Sequence, residues 1–315
     1  MTGGPIPFVL GATGTGKTTL AIALARRLDG EIVSADSRQA YRGLEVGTAA
    51  PTPAERAAVP HHGVGFLDPG ERYGAGRFAT LARGWIEGIR ARGRSPIVAG
   101  GTGLFVRALL APLFREPELD ADRRRRLGAW LARRETVELA DWAARLDPAF
   151  AARLGVVDRQ RAGRGVEIAL LTGRPLSWWH AHAPGDGPIP ARSFVLELPP
   201  GEHRTRLAER VRAVLAGGWP EEVRGLLAAG YGEGSPAWNA LGYREVAALV
   251  RGEIGEAEAE ERIERATWRY ARRQRTWLRT QLPGEAVPLD ARLSVDQLAA
   301  IVEASLRENE EGPAA

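Results

Sequence analysis

The chain has 315 residues, 44% of them hydrophobic and 26% charged, with a formal net charge of +4. That is the balance of one large or two smaller globular domains. The absence of cysteine excludes a disulfide framework, a cysteine-based zinc site and a thiol nucleophile. No run of about 18 apolar residues is present to span a membrane, and residues 1–12 lack the basic and apolar regions of a secretory signal. A cytoplasmic, monomeric protein is expected. Of 43 basic residues, 42 are arginine and one is lysine, Lys17. Codon bias in a GC-rich genome accounts for the arginine excess. It makes the one retained lysine informative.

In chain order, Pro7 to Leu10 is a short apolar run entering a glycine-rich turn, which predicts a buried strand. Thr18 to Leu28 follows as a helix rich in good helix formers. Glu31 to Ala35 is a second short strand, and Gly63 to Leu67 and Ser95 to Ala99 predict two more. Between those two, Phe78, Leu81, Trp85 and Ile89 recur at helical spacing. Ser193 to Leu198 is a fifth strand. Strands alternating with helices imply a parallel sheet of α/β type. From about Phe114 to Trp179 no strand pattern occurs. Leu127, Trp130 and Leu131, then Leu139, Trp142, Ala143 and Leu146, are spaced as on helices. The organisation expected is an α/β core over 1–113, an all-helical insert over 114–190, and 191–315 returning to the last strand and arginine-rich C-terminal helices. The segment 181–190 reads as a proline/glycine linker. Helices run from Glu202 to about Thr280, and the acidic tail from Arg307 to Ala315 is expected to fray.

The turn after the first strand, Gly11, Ala12, Thr13, Gly14, Thr15, Gly16, Lys17 and Thr18, matches the phosphate-loop pattern G-x-x-x-x-G-K-[ST], with a strand before it and a helix after it. Backbone N–H groups from Thr13 to Thr18 would wrap a pyrophosphate at a helix N-terminus. Lys17 would meet the outer phosphate as a compact charge, which a bulkier, planar guanidinium cannot replace. Thr18 would give its hydroxyl to Mg²⁺. The second strand runs into Asp36, Ser37, Arg38 and Gln39, at the carboxyl end of a strand, where ligands bind in open α/β sheets. Asp36 with Gln39 three residues on also fits a capping box opening a helix, and both readings stand. No acid ends the Ser95 to Ala99 strand, so nothing marks a water-activating group. The loop therefore suits a reaction other than phosphoryl transfer.

Several segments together resemble the tRNA dimethylallyltransferase (isopentenyltransferase) family. They are GATGTGKTTLA at 11–21, SADSRQAYRGLEVGTAAPT at 34–52, VPHHGVGFLDPGERYGAGRF at 59–78, VAGGTGLFVRALL at 98–110, ALGYREV at 240–246 and YARRQRTWLR at 270–279. The resemblance implies a P-loop core with a helical insert, and transfer of the dimethylallyl group of its diphosphate to N6 of adenosine 37, beside the tRNA anticodon. The loop would then hold a leaving pyrophosphate with Mg²⁺ as cofactor. Asp36 would be the base that takes the N6 proton, with Lys17, Thr18, Thr102 and Arg206 completing the catalytic group and Arg210 adding charge at the diphosphate. The alternative for Arg206 and Arg210, four apart on one helix, is a solvated basic face.

The partners implied are dimethylallyl diphosphate and the tRNA anticodon stem-loop, with no membrane. The resemblance carries tRNA contact to Asp36, Ser37, Arg38, Gln39, Thr102, Arg124, Gln160, Arg161, Ala162, Gly163 and Arg164. Where the family has Asn-Asp before that last motif, this chain has Val157 and Asp158, and Gly163 weakens its helix by about 1 kcal/mol relative to alanine. Arginine gathers at 123–126, 159–164 and 265–279, the last interleaved with Trp268, Tyr270 and Trp277. Such clusters are what polyanion binding needs. His61 and His62 match a family pair and read as structural; Trp178 and Trp179 read as packing. Three alternatives remain: an adenylate isopentenyltransferase acting on free AMP, ADP or ATP, a P-loop small-molecule kinase, and a pure RNA-binding protein.

Overall fold

The computed structural model describes residues 4–111, 114, 117–153, 158–183 and 185–310. Six parallel strands form one sheet: β1 (Ile6–Gly11), β2 (Gly30–Ala35), β3 (His61–His62), β4 (Ser95–Gly100), β5 (Ala191–Glu197) and β6 (Ala286–Asp290), in the order β3-β2-β4-β1-β5-β6. The central strand β1 is buried at every residue, as expected of a parallel strand covered on both faces. Phe8 pairs with Val98 on one side and Val9 with Phe194 on the other. Helix α1 (Lys17–Arg27) packs Leu20 and Leu24 on Ile32, Ile97 and Phe194.

Two expectations about strands require correction. The run Gly63 to Leu67 is not a strand; the strand is the preceding pair His61–His62, with a single bridge from Tyr41 to Leu67. Gly63 and Gly65 take φ of 83° and 59°, and such left-handed residues end an extended run. The sixth strand, β6, lies beyond the stretch read as wholly helical. It is a five-residue edge strand containing Pro288. Proline is tolerated at an edge because the missing N–H is not needed there, and its presence hides the strand from a pattern search.

The tail also departs from expectation. Helix α14 runs Val295–Glu310, so Arg307 to Glu310 remain helical, while 311–315 lie outside the described residues. Ser294 Oγ accepts from the Gln297 N–H at 3.3 Å, and Gln297 Oε1 accepts from the Ser294 N–H at 3.0 Å, a capping box. Leu298, Ala299, Val302 and Leu306 join the core that contains Leu20 and Leu24. The signal Ser294-x-x-Gln297 was present in the sequence.

Elsewhere in this unit, α2 (Pro53–Ala58), α3 (Ala75–Ala91) and α4 (Gly103–Leu110) precede the insert. The long α10 (Pro200–Ala216), α11 (Trp219–Ala228), α12 (Tyr243–Val250) and α13 (Glu256–Thr280) follow β5, with a 3₁₀ turn at Pro236–Asn239. A second core gathers Tyr41, Leu44, Trp219, Trp238, Tyr243 and Ile263. Two compact units are distinguished, 1–111 with 189–315, and 112–188. The second contains α5 (Ala121–Ala132), α6 (Thr136–Leu146), α7 (Pro148–Ala151), α8 (Arg159–Thr172) and α9 (Leu176–His182). Leu131, Leu139, Ala143, Ala162 and Val166 form one core in it, and Phe150, Ile168 and Leu176 with Trp179 form another. The fully buried Asp147 accepts from the Phe150 N–H at 2.9 Å and the Ser177 N–H at 2.7 Å.

Gly100 ends β4 against the neighbouring strand: a Cβ there would lie 2.3 Å from the Ala35 carbonyl oxygen. Backbone cannot yield as a side chain does. Gly100→Ala is expected to destabilise the fold by about 1–3 kcal/mol, the usual cost of overpacking, read as a lower urea midpoint with an unchanged m-value.

Candidate active site

The carboxyl ends of β1, β2 and β4 open into a cleft lined by Thr13, Gly14, Gly16, Lys17, Thr18, Ser34, Asp36, Gln39, Thr48, Ala49, Gly100, Arg210, Tyr270 and Gln274, among others. Gly14 and Gly16 take φ of 78° and 91°, which lets the loop turn into α1 without a Cβ penalty. Inside the loop the Ala12 carbonyl accepts from Lys17 Nζ at 2.7 Å and from Thr15 Oγ1 at 2.9 Å. Thr15 and Ala12 are buried and, like Gly11, hold the loop's shape without lining the cleft. Burial lowers the Lys17 pKa to about 8, with the Asp36 carboxylate opposing and Arg210 adding to the shift.

The loop's donor set needs one correction. The Thr13 N–H does not face a ligand. It donates to Gln274 Oε1 at 2.9 Å, while Gln274 Nε2 donates to the Gly101 carbonyl at 2.8 Å. The Thr13 carbonyl accepts from His203 Nε2 at 2.8 Å. Thr13 is thus clamped from α13 and α10. Gln274 lies within the 270–279 segment that carries the family resemblance, and His203 lies in none of those segments. No local signal marks either, because both act 190 residues or more from Thr13.

At the end of β2, Asp36 Oδ1 accepts from the Arg38 N–H at 2.8 Å and the Gln39 N–H at 3.3 Å. This is an Asx turn, and the residues after it form turns and not the helix that a capping box would open. Its other oxygen takes no hydrogen bond among the described residues. The Ser37 N–H donates to Thr102 Oγ1 at 3.1 Å. Burial of Tyr270, reinforced by Asp36, pushes its phenol up to about 12. Thr102, Ser37 and Arg38 brace the turn without lining the cleft; Arg38 Nη1 donates to the Pro236 carbonyl at 3.3 Å.

Of the two arginines on α10, Arg210 lines the cleft and donates to the Thr48 carbonyl at 3.3 Å. Arg206 does not line it and is directed to the Ala291 carbonyl at 3.4 Å. The resemblance implied both at the diphosphate; of the two, Arg210 is the one that lines this cleft. His61 lines the cleft with Nδ1 at 2.7 Å from the Val59 carbonyl, and burial lowers its pKa. His62 Nε2 lies 2.6 Å from Glu31, whose carboxylate also pairs with Arg92 at 2.7 Å. His62 is structural, as expected.

Within the helical unit, Asp158 caps α8 by accepting from the Gln160 and Arg161 N–H groups at 2.8 and 3.0 Å; Val157 lies outside the described residues. Gln160 and Arg161 are exposed. Ala162 is fully buried in the core of the unit, so its side chain does not reach a nucleic acid, and Gly163 is half-buried. Arg124 donates to Glu167 Oε1 at 2.9 Å and Arg164 also pairs with Glu167. Arg123, Arg125 and Arg126 are exposed. On α13, Arg265, Arg269, Arg272, Arg273 and Arg279 are exposed. Of the aromatics between them, Tyr270 lines the cleft and the two tryptophans are engaged in packing. Trp268 sits edge-on to His203, and Trp277 packs where a Cβ at Gly103 would lie 2.4 Å away. Trp178 stacks on His182 and Trp179 packs in the second helical core, consistent with packing roles.

A parallel sheet, a glycine loop entering a helix and an acid at the next strand end define an α/β protein of P-loop type. The model of the family described as IPP transferase matches residues 39–281, and that of isopentenyl transferase matches residues 5–60. A relative from Anaeromyxobacter dehalogenans, named tRNA dimethylallyltransferase, is 50% identical over 274 residues, 87% of this chain and 91% of its own length. One of the same name from Stenotrophomonas maltophilia is 42% identical over 283 residues, 87% of this chain and 89% of its own. The crystal structure of a tRNA isopentenylpyrophosphate transferase from Staphylococcus epidermidis superposes with a TM-score of 0.68 at 28% identity, covering 97% of this chain and 99% of the other. A eukaryotic dimethylallyltransferase captured acting on tRNA gives 0.80 at 26% identity, covering 97% and 80%. The chain belongs to the IPP transferase family, the tRNA dimethylallyltransferases.

Proposed function

We infer that this enzyme transfers the dimethylallyl group from dimethylallyl diphosphate to N6 of adenosine 37 in tRNA, releasing pyrophosphate. One observation carries the reading: Lys17, Thr18, Arg210 and Asp36 line one cleft, two cations beside a carboxylate with a glycine loop between. The N6 lone pair forms a bond to C1 of the allyl group as the C1–O bond breaks. The electron pair leaves on the diphosphate, and the N6 proton passes to the free oxygen of Asp36. Lys17, Arg210 and the loop amides from Gly14 onward stabilise the charge developing on the leaving group. The target base has to leave its stack to reach Asp36.

Mg²⁺ fits this reading. No cluster of three or more ligating His, Cys, Asp or Glu side chains exists among the described residues, but Mg²⁺ keeps most of its ligands from phosphate and water. The Thr18 hydroxyl, in the first turn of α1, is the one protein ligand proposed, and when bound the ion would neutralise diphosphate charge. No described helix is long and apolar enough to cross a membrane. The reading makes the protein a cytoplasmic monomer that meets tRNA through its arginine clusters, which an enzyme of free AMP would not need.

The test is incubation with dimethylallyl diphosphate, Mg²⁺ and a tRNA unmodified at adenosine 37. N6-prenylated adenosine in the tRNA is expected; product on AMP alone overturns the reading. For tRNA contact we propose Gln160 and Arg161, with the Arg124 and Arg164 pair on Glu167 setting the surface behind them. Arg161→Ala is expected to weaken tRNA binding and reduce the slope of log K against log salt by about one. An unchanged slope removes Arg161 from the contact.

A further inference from the structure

The segment between Leu44 and Pro51 forms part of the cleft wall, contributing Thr48, Ala49 and Pro51. It belongs to no helix or strand and is folded on itself by turns, the Ala49 N–H donating to the Val46 carbonyl and the Ala50 N–H to the Glu45 carbonyl, each at 2.9 Å. Two of its remaining N–H groups are taken by a carboxylate on α11. Glu222 Oε2 accepts from the Val46 N–H at 2.6 Å, and Oε1 accepts from the Gly47 N–H at 3.0 Å and from the Tyr243 hydroxyl at 2.7 Å. The Tyr243 hydroxyl also lies 3.2 Å from the Leu44 carbonyl. Gly47 fits against Trp219 so closely that a Cβ would be 2.1 Å from its Nε1.

The pinned segment reaches the chemistry by two contacts. The Thr48 carbonyl accepts from Arg210, and the Ala49 carbonyl accepts from Gln39 Nε2 at 3.3 Å, in the turn that Asp36 organises. Ala49 itself holds a φ of +44°, a conformation alanine takes only where its surroundings impose it. We propose that Glu222, oriented by Tyr243, is a positioning residue of the active site: it sets the Val46–Ala49 backbone so that Arg210 is aimed at the diphosphate.

Burial pushes the Glu222 carboxyl above its ordinary range, against the hydrogen bonds from Tyr243, Gly47 and Val46. A raised value means that the fold disfavours the ionised form, so the charge is not there to stabilise the protein at neutral pH. Glutamine at this place is isosteric, yet it carries one acceptor oxygen, so either the Val46 or the Gly47 N–H meets an NH₂ group instead.

The proposal rests on the cleft binding a diphosphate, so the probe is inorganic pyrophosphate with Mg²⁺, followed by calorimetry. Glu222→Gln is expected to weaken pyrophosphate binding at least fivefold and raise KM for dimethylallyl diphosphate by a similar factor. The tRNA affinity should stay within twofold and the melting temperature within a few degrees. Tyr243→Phe, which keeps the carboxylate and both amide bonds, should give a smaller shift in the same direction. Unchanged pyrophosphate affinity in a folded Glu222→Gln protein overturns the proposal, as does a loss of thermal stability alone. If Glu222→Gln does not fold, Tyr243→Phe decides, and its unchanged affinity overturns the proposal. Normal pyrophosphate binding by the unaltered protein, weakened by Glu222→Gln but with no tRNA prenylation, would refute the reaction and leave the positioning role intact. Failure of the unaltered protein to bind pyrophosphate would overturn both.

Discussion

Asp36→Asn is expected to lower turnover by about 10²–10⁴-fold, the range lost when a positioned general base is removed, while tRNA affinity stays within a few-fold. The substitution is chosen because Asp36 has two jobs in the structure. Oδ1 holds the Arg38 and Gln39 N–H groups, and an asparagine oxygen can keep both bonds. Only the basic oxygen is lost, so the turn survives and the chemistry does not. Asp36→Ala would mix the two effects. Single-turnover measurement of prenylated tRNA, with binding followed separately, distinguishes them. A folded Asp36→Asn enzyme that turns over at the normal rate would refute the base assignment.

The second large effect is at Lys17. Lys17→Met keeps an unbranched side chain, one heavy atom shorter, and removes its charge. A hydrogen bond to a charged group contributes about 1.5–3 kcal/mol, so pyrophosphate affinity should fall by about 10–10²-fold. Turnover should fall further, because charge builds on the leaving group in the transition state. The pH dependence gives an independent check. Burial lowers the Lys17 pKa to about 8 in the empty cleft, and a bound diphosphate favours the protonated form. Binding therefore takes up a proton near and above pH 8, and affinity falls by up to about tenfold per pH unit beyond it. Ionisation of pyrophosphate itself contributes equally in Lys17→Met, so the Lys17 part is the difference between the two proteins. Identical pH profiles would exclude Lys17 from the diphosphate contact. The sign for the fold is opposite: the depressed value means that protonated Lys17 costs stability below about pH 8, a cost that fades as pH rises toward 10.5. Lys17→Arg should not rescue binding. The ammonium sits 2.7 Å from the Ala12 carbonyl within the loop it closes, a space that suits a compact donor and not a planar fork.

The helical unit was recognisable because Leu139, Trp142, Ala143 and Leu146 recur at helical spacing, and the P-loop because its pattern is carried by contiguous residues. Asp36 was legible for the same reason: position at a strand end is a local property. Arg206 and Arg210 were not. Two residues four apart share a helix face, yet Arg210 lines the cleft while Arg206 is directed to the Ala291 carbonyl. The 160–164 motif shows the same limit. Its charge was readable, but only packing decides that Ala162 is interior and that Arg124 and Arg164 share Glu167.

The sequence by itself determined the α/β class, the glycine-rich loop of phosphate-loop pattern, the acid beside it and the family. All of these are written in short runs whose chemistry does not depend on distant partners. The tertiary structure decided which backbone donors remain available and what holds the cleft open. Gln274 and His203 clamp Thr13 from residues far along the chain, and Glu222 fixes the Val46–Ala49 backbone across 176 positions. A buried N–H or C=O must find a partner, and in an irregular segment that partner comes from wherever packing brings one, which periodicity and composition do not encode.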